Sequence, residues 1–182
     1  MTDWIGETFT SDTGWNHLKR LVDIGSRMAG SVGERRGATA TRDALAAAGA
    51  RDARLDEFEI QGWTRGESAV HVDGDPVAGD VAALPRSPSA TVTGRLVDVG
   101  HGLPEEFDRD LSGAVVMAAS DVPNWYNRFL HRREKYYHAV EAGAAGFLFC
   151  NHLEGRLAPT GSVGTDEDPI GQIPAVGVSA ED

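Results

Sequence analysis

The 182-residue chain is poor in cysteine and has no long hydrophobic run. Its single cysteine, Cys150, excludes an internal disulfide and a cysteine-based zinc site. Because Cys150 lies in the apolar run 146–150, we expect it to be a small, buried core residue. Every apolar stretch is far shorter than the roughly 20 residues that a transmembrane helix needs, so we expect no membrane segment. Residues 1–10 lack the basic start of a secretory signal, which favours a cytoplasmic location.

Lysine is also scarce, because Lys19 and Lys135 are the only two, against fifteen arginines. The 28 acidic residues outnumber the 17 basic residues and leave a net charge of −11. Nucleic-acid binding needs clustered cations over phosphates, so we expect no nucleic-acid partner. The acidic, lysine-poor composition fits two alternatives, a salt-adapted source organism or a codon bias towards arginine.

Common catalytic motifs are missing as well. The chain contains no Gly-x-Ser-x-Gly nucleophile elbow. The spacing of Gly25, Gly30 and Gly33 fits neither a dinucleotide-binding fingerprint nor a P-loop. From these absences we expect no serine nucleophile and no nucleotide-binding site.

The first part of the chain, residues 1–62, has helical periodicity. Apolar residues spaced three and four apart predict an amphipathic helix over 13–24. An alanine-rich helix is predicted over 33–48, and alternating apolar and acidic residues predict a strand over 53–60. A segment of this length with one strand cannot close a sheet, so we expect it to need partners outside this sequence.

Beyond Gly62, glycine, proline and β-branched residues become dense. Short strands are predicted at 68–72, 91–99, 114–118, 145–150 and 173–179. One helix is predicted over 125–141, and a long loop over 153–172. We therefore predict an α/β (α+β) fold, in which an incomplete helix-helix-strand segment over 1–62 precedes a β-rich domain with one main helix over 63–182.

Four segments of the second part, in this order, resemble a protease-associated (PA) domain. The first is 111–117, where Leu-Ser-Gly precedes a β-branched strand, and the second is 134–146, a helix followed by Ala-Gly-Ala-Ala-Gly. The third is 147–151, a strand that ends in Asn, and the fourth is 173–179, a strand that begins with Ile-Pro. The resemblance implies that residues 63–182 form a PA domain.

The first part resembles the N-terminal segment of zinc aminopeptidases in metallopeptidase family 28. The similarity lies in the run LVDIGSRMAGSVGE at 21–34, in the helix after it and in residues 55–63. In that family a PA domain is often inserted after this segment. The resemblance implies a parent enzyme that removes N-terminal residues from peptides with two zinc ions, and a PA domain that covers or shapes access to the active site.

In that family the metal ligands follow the inserted domain, and this sequence stops within the closing pattern of that domain. We therefore expect no catalytic residue, metal ligand or cofactor in this chain, which alone is predicted to be inactive. Its partner would be a peptide substrate or the missing catalytic domain, and a homo-oligomer is compatible with the sequence. The alternatives are a stand-alone PA module that binds proteins or peptides without enzymatic activity, and a structural subunit of a salt-adapted assembly.

Three sets of side chains nevertheless carry metal-binding atoms. One set has the residue types of the family's metal ligands in a similar order: His71, Asp73, Glu105, Glu106, Asp121 and His152. A second set lies around the third helix: His131, His138 and His152. A third set consists of oxygen ligands suited to calcium: Asp166, Glu167, Asp168 and Asp182. Acidic residues are abundant and the surrounding motifs are wrong, so we expect solvated charges at all three.

Aromatic and arginine residues gather near the third helix: Trp125, Tyr126, Phe129, Tyr136, Tyr137, Arg128, Arg132 and Arg133. The favoured interpretation is the packing face of that helix, with the arginines directed outward. The other interpretation is an exposed recognition surface, for which the candidate residues are Trp125, Tyr126, Arg128 and Arg132.

Overall fold

A computed structural model describes residues 3–181, and the chain divides into two compact units. Unit 1 is Met1–Thr64, and unit 2 is Arg65–Asp182. Helices alone make up the regular structure of the described part of unit 1, whereas unit 2 is built around a sheet. The predicted fold class is therefore confirmed: an N-terminal helical segment followed by a β-rich domain.

Unit 1 contains three helices, α1 (Asp3–Thr10), α2 (Thr13–Ile24) and α3 (Val32–Ala47). The amphipathic helix predicted from the apolar spacing is α2, with the same bounds. The alanine-rich helix is α3, which begins and ends one residue before the predicted range. The sequence analysis did not predict α1.

The small-residue loop between α2 and α3 fixes the start of α3. Ser31 Oγ accepts a hydrogen bond from the Glu34 amide at 3.1 Å, and a Glu34 carboxylate oxygen accepts one from the Gly30 amide at 2.6 Å. The first bond satisfies an amide that the first helical turn leaves without a partner, and the second ties the residue before the cap to the helix. Gly33 lies so close to the backbone that a Cβ there would overlap the carbonyl oxygen of Ser26.

The strand predicted over 53–60 is absent, which corrects the sequence analysis. A strand is held by hydrogen bonds to a neighbouring strand, and the described residues of unit 1 contain no strand to supply them. Two apolar side chains of the segment also stay uncovered, because Phe58 is 83% exposed and Ile60 is exposed as well.

Unit 2 contains a two-stranded hairpin and a five-stranded sheet in the order β3-β7-β6-β5-β4. The seven strands are β1 (His71–Val72), β2 (Asp75–Pro76), β3 (Val81–Ala83), β4 (Leu96–Asp98), β5 (Val115–Ala119), β6 (Gly146–Cys150) and β7 (Ala175–Val178). Strands β4 to β7 run parallel to their neighbours, and β3 is antiparallel to β7. The register places Val116 opposite Phe147 and Leu148 opposite Val176.

Strands β5, β6 and β7 fall where the sequence predicts strands. β5 has the predicted length and begins one residue later, and β6 and β7 are shorter than predicted. Of the predicted strand 91–99, only β4 forms, because its three residues are the ones that pair with β5. A short 3₁₀ helix, Pro104–Phe107, carries Glu105 and Glu106. Residues 153–172 form no helix or strand, as predicted.

The main helix of unit 2, α4, spans Arg132–Glu141 and not the predicted 125–141. His131 keeps an extended backbone, with ψ of 145°, and its ring Nδ1 accepts a hydrogen bond from the Arg133 amide at 3.2 Å. The Glu134 carboxylate accepts in return from the His131 amide at 3.1 Å. This cap starts the helix at Arg132 and leaves residues 125–131 as an irregular segment.

The core of unit 2 lies between the sheet and its covering elements. Its most buried large side chains include Leu84, Val99, Leu111, Val116, Leu130, Tyr136, Phe147 and Val163. Tyr136 reaches from α4 to Ile173, whose amide and carbonyl both bond the phenol oxygen at 2.9 Å. Cys150 closes β6 and is partly buried, so the expectation of full burial was wrong.

Candidate recognition surface

The segment between β5 and α4 exposes two large aromatic side chains. Trp125 is 67% exposed and Phe129 is 73% exposed, whereas the next residue, Leu130, is buried in unit 2. Trp125 lies edge-on to the half-buried Tyr126, with ring centroids 6.0 Å apart. Exposed aromatic side chains held by a buried anchor are typical of interaction surfaces.

Arg128 is part of this surface, and its charge is compensated. Its guanidinium lies 5.8 Å from the centroid of the Tyr126 ring and donates to Glu134 at 2.8 Å. Burial alone would raise the pKa of Glu134, but the hydrogen bonds from Arg128 and the His131 amide outweigh it and lower that pKa. The pair therefore fixes Arg128 beside the N-terminus of α4.

Arg132 has a different environment. Its guanidinium lies against the backbone of Gly161, where a Cβ would overlap the guanidinium carbon. The Nε atom is buried without a hydrogen-bond partner, and Nη1 is 3.3 Å from Nε2 of His131. Burial lowers the pKa of Arg132, and the neighbouring charge of Arg133 lowers it further.

The structure thus brings together Trp125, Tyr126 and Arg128, and it places Arg132 partly buried at the side of this group. The packing interpretation is correct for Tyr136, which is fully buried. It is wrong for Trp125 and Phe129, because the helix begins only after them. Phe129 was not among the four candidate residues, although it is more exposed than Trp125.

The three sets of metal-binding side chains do not assemble into a site. Within the described residues, 3–181, no group of three or more His, Cys, Asp or Glu side chains could hold a metal ion. His101 pairs with Asp121 at 3.0 Å, and His152 pairs with Ser120 at 2.7 Å. Of the acidic set, Asp182 lies outside the described residues. The two zinc ions implied by the resemblance therefore have no ligand set among these residues.

Sequence reasoning missed a buried lysine beneath the surface. Lys135 is fully buried, and its Nζ donates to the carbonyl oxygens of Ala119 at 2.7 Å and Asp121 at 2.6 Å. Burial lowers the pKa of Lys135 to about 8, although the charges of Asp121 and Glu106 act in the opposite direction. These bonds tie α4 to the end of β5 and hold the ends of the connecting segment in place.

The comparison with protein families identifies the class of this domain. The PA domain family matches residues 92–182, which is half of the chain. The chain therefore belongs to the PA domain family, and the resemblance seen in the sequence is confirmed.

Solved structures extend the likeness to both units. BSAP, a zinc aminopeptidase from Bacillus subtilis, matches with a TM-score of 0.64 and 22% identity over 94% of this chain. An aminopeptidase from Aneurinibacillus sp. strain AM-1 matches with a TM-score of 0.55 and 21% identity over 93% of this chain. The chain covers only 39% and 38% of those two proteins. The likeness shows a shared fold with the corresponding part of zinc aminopeptidases.

A sequence search of curated proteins gives no match. Among the described residues, no helix is long and apolar enough to cross a membrane.

Proposed function

We propose that this chain is the non-catalytic front part of a zinc-dependent aminopeptidase of metallopeptidase family 28. Residues 1–62 would belong to an incomplete peptidase domain, and residues 63–182 would form the inserted PA domain. The parent enzyme would remove N-terminal residues from peptides with two zinc ions held by residues outside this chain. The fold shared with two aminopeptidases, each about two and a half times longer, supports this proposal.

The observation that carries the proposal is the missing core of unit 1. Among residues 4–64, only Gly37 and Ala40 are buried. Ten large apolar side chains are exposed there: Trp4, Ile5, Phe9, Trp15, Leu18, Val22, Val32, Leu45, Phe58 and Ile60. Apolar residues in this number normally cover one another or a partner. A peptidase domain that continues beyond these residues would supply that cover.

The PA domain would act on substrate by position rather than by chemistry. Its exposed Trp125 and Phe129 offer apolar contact area at the end of the sheet where β5 ends. A surface of this kind orients a peptide and excludes water from a neighbouring site without touching the reacting atoms. We propose that it covers or shapes access to the active site of the parent enzyme.

The decisive test is the gene beyond codon 182. We expect an in-frame continuation that encodes a His-x-Asp, a later Glu-Glu pair and a distal His. The full product should hydrolyse leucine p-nitroanilide and lose that activity with 1,10-phenanthroline, whereas the 182-residue chain should show none. A stop codon directly after codon 182 in the natural gene would sink the proposal.

A stand-alone PA module that binds proteins or peptides is the second candidate. The exposed aromatic surface favours it, because that surface belongs to unit 2, which has a core of its own. This alternative requires unit 1 to be folded and protected in the isolated chain. Limited trypsin digestion distinguishes the two: rapid cleavage at Arg20, Arg27 and Arg36 fits the incomplete domain, and resistance fits the module.

A further inference from the structure

Arg132 has no acidic partner. Among residues 3–181, no carboxylate forms an ion pair with its guanidinium, and the one polar contact within hydrogen-bonding distance is with His131 Nε2 at 3.3 Å. Arg128, four residues earlier, pairs with Glu134. A partly buried guanidinium normally has its hydrogen-bond donors satisfied by an anion. Arg132 therefore differs from Arg128 in having no carboxylate to compensate its charge.

The contact with His131 does not satisfy Arg132. A neutral imidazole has one acceptor nitrogen. Nδ1 of His131 fills that role, because it accepts the Arg133 amide hydrogen at the helix cap. Nε2 then carries the hydrogen, so two donors face each other across 3.3 Å. Burial lowers the pKa of His131, and the charges of Arg132 and Arg133 lower it further. An anion placed here would accept from both side chains.

The same position adjoins an exposed aromatic ring. The ring centroids of Phe129 and His131 are 6.1 Å apart and the ring planes are steeply inclined to each other. The apolar ring of Phe129 therefore lies next to the polar side chains of His131 and Arg132. Phe129 itself is among the most exposed apolar side chains of unit 2. The site thus combines the guanidinium of Arg132, whose planar geometry suits a carboxylate, with the apolar ring of Phe129.

We infer that Arg132 and His131, together with Phe129, bind the C-terminal carboxylate and last apolar side chain of a peptide. A single carboxylate fits the guanidinium of Arg132, which has no ion pair among residues 3–181. A run of acidic residues fits less well, because the net charge of −11 repels polyanions. The inference rests on the proposed recognition surface of the PA domain, and it names the ligand of that surface.

The test measures binding of blocked tetrapeptides to the 182-residue chain by titration calorimetry, with Trp fluorescence as a second signal. The probe is N-acetyl-Gly-Gly-Leu-Phe with a free carboxylate, compared with its C-terminal amide and with the amide of N-acetyl-Gly-Asp-Leu-Phe. We expect the free acid to bind at least tenfold more tightly than either amide. Equal binding of the acid and its amide would overturn the inference. Equal binding of the aspartate peptide would overturn the assignment to a C-terminus.

Two variants locate the effect. Arg132→Gln should remove the preference for the acid, and Arg132→Lys should retain only part of it because the planar fork is lost. Lys19→Gln removes the same charge from unit 1 and should leave binding unchanged. A preference for the acid that survives in Arg132→Gln would contradict the inference.

Gly161→Ala displaces the guanidinium without changing Arg132 itself. Its control is Gly155→Ala, since both glycines have a positive φ, 140° and 118°, but a Cβ at Gly155 meets nothing within 4 Å. We expect at least a fivefold loss of acid binding for Gly161→Ala alone, and equal loss in both variants would count against the site. Because the peptides are N-acetylated and no zinc is needed, a negative result leaves the proposed aminopeptidase parentage standing.

Discussion

Unit 1 and unit 2 use apolar residues in opposite ways. Unit 2 buries a continuous cluster of side chains between its sheet and α4. The described part of unit 1 buries two small residues, Gly37 and Ala40, and exposes ten large apolar side chains. Each unit has a helix whose N-terminus is capped by a side chain, α3 in unit 1 and α4 in unit 2, so local structure does not distinguish them. The difference shows that local helix signals and a self-sufficient core are separate properties of a sequence.

The largest predicted effect contrasts one aromatic residue from each unit. Phe147→Ala removes a side chain that is 1% exposed, and we expect it to lower the free energy of unfolding by about 3–5 kcal/mol. Trp15→Ala removes one that is 60% exposed, and we expect a change within about 0.5 kcal/mol. Urea unfolding followed by circular dichroism measures both. A loss for Trp15→Ala comparable to that for Phe147→Ala would show that unit 1 has a core after all.

Lys135 in unit 2 should make stability depend on pH between about 8 and 10.5. Its folded pKa of about 8 lies below the ordinary value of 10.5, so the unfolded chain binds more protons between these values. Stability therefore rises with pH over this window, by about 3 kcal/mol in total, and the penalty is fully present below pH 8. Lys135→Met should lack this rise.

The measurement is the difference in unfolding free energy between wild type and Lys135→Met at pH 7.5, 8.5 and 9.5. Burial raises the pKa of Tyr136, which removes stability only at higher pH and equally in both proteins. A constant difference across the three pH values would contradict the account of Lys135.

Two neighbouring tyrosines on α4 provide a smaller, matched pair. Tyr136→Phe leaves the buried amide and carbonyl of Ile173 without their partner, and we expect a loss of about 1–3 kcal/mol. The hydroxyl of Tyr137 is buried without a partner, so Tyr137→Phe should be neutral or slightly stabilising. Thermal unfolding of both variants tests this, and equal losses would be the contrary outcome.

The smallest effect concerns the cap of α3 in unit 1. Ser31→Ala removes the acceptor for the Glu34 amide and should cost about 1 kcal/mol of helix stability. Because no core holds this helix, the loss should appear as reduced helical ellipticity at 222 nm. Ser26→Ala, which removes an exposed hydroxyl, should leave the ellipticity unchanged. An unchanged signal for Ser31→Ala would mean that other contacts hold α3.

Sequence reasoning found the elements whose signals are local. The apolar spacing of α2, the β-branched run of β5 and the apolar run of β6 predict their own structure. Elements were predicted wrongly where strand pairing or helix capping decides whether a segment forms a strand or where a helix begins. Residues 53–60 alternate as a strand does, yet they have no neighbour to pair with, and only three residues of 91–99 face a partner strand.

The candidate recognition surface was predicted only in part, because it also depends on where a helix begins. The composition of 125–133 indicated aromatic and arginine side chains, but their exposure depends on where α4 begins. The cap formed by His131 and Glu134 sets that start, and a histidine cap is a weak signal in a sequence. The different roles of Arg128 and Arg132 follow from Glu134 and Gly161, and only the folded chain brings the latter to Arg132.

Hydrogen exchange of the isolated 182-residue chain, read by mass spectrometry, tests the central claim most directly. If unit 1 lacks a core of its own, the amides of α2 and α3 should exchange within seconds, while those of β5, β6 and β7 stay protected for hours. Protection of α2 and α3 equal to that of the sheet would contradict the claim that unit 1 is an incomplete part of a larger domain.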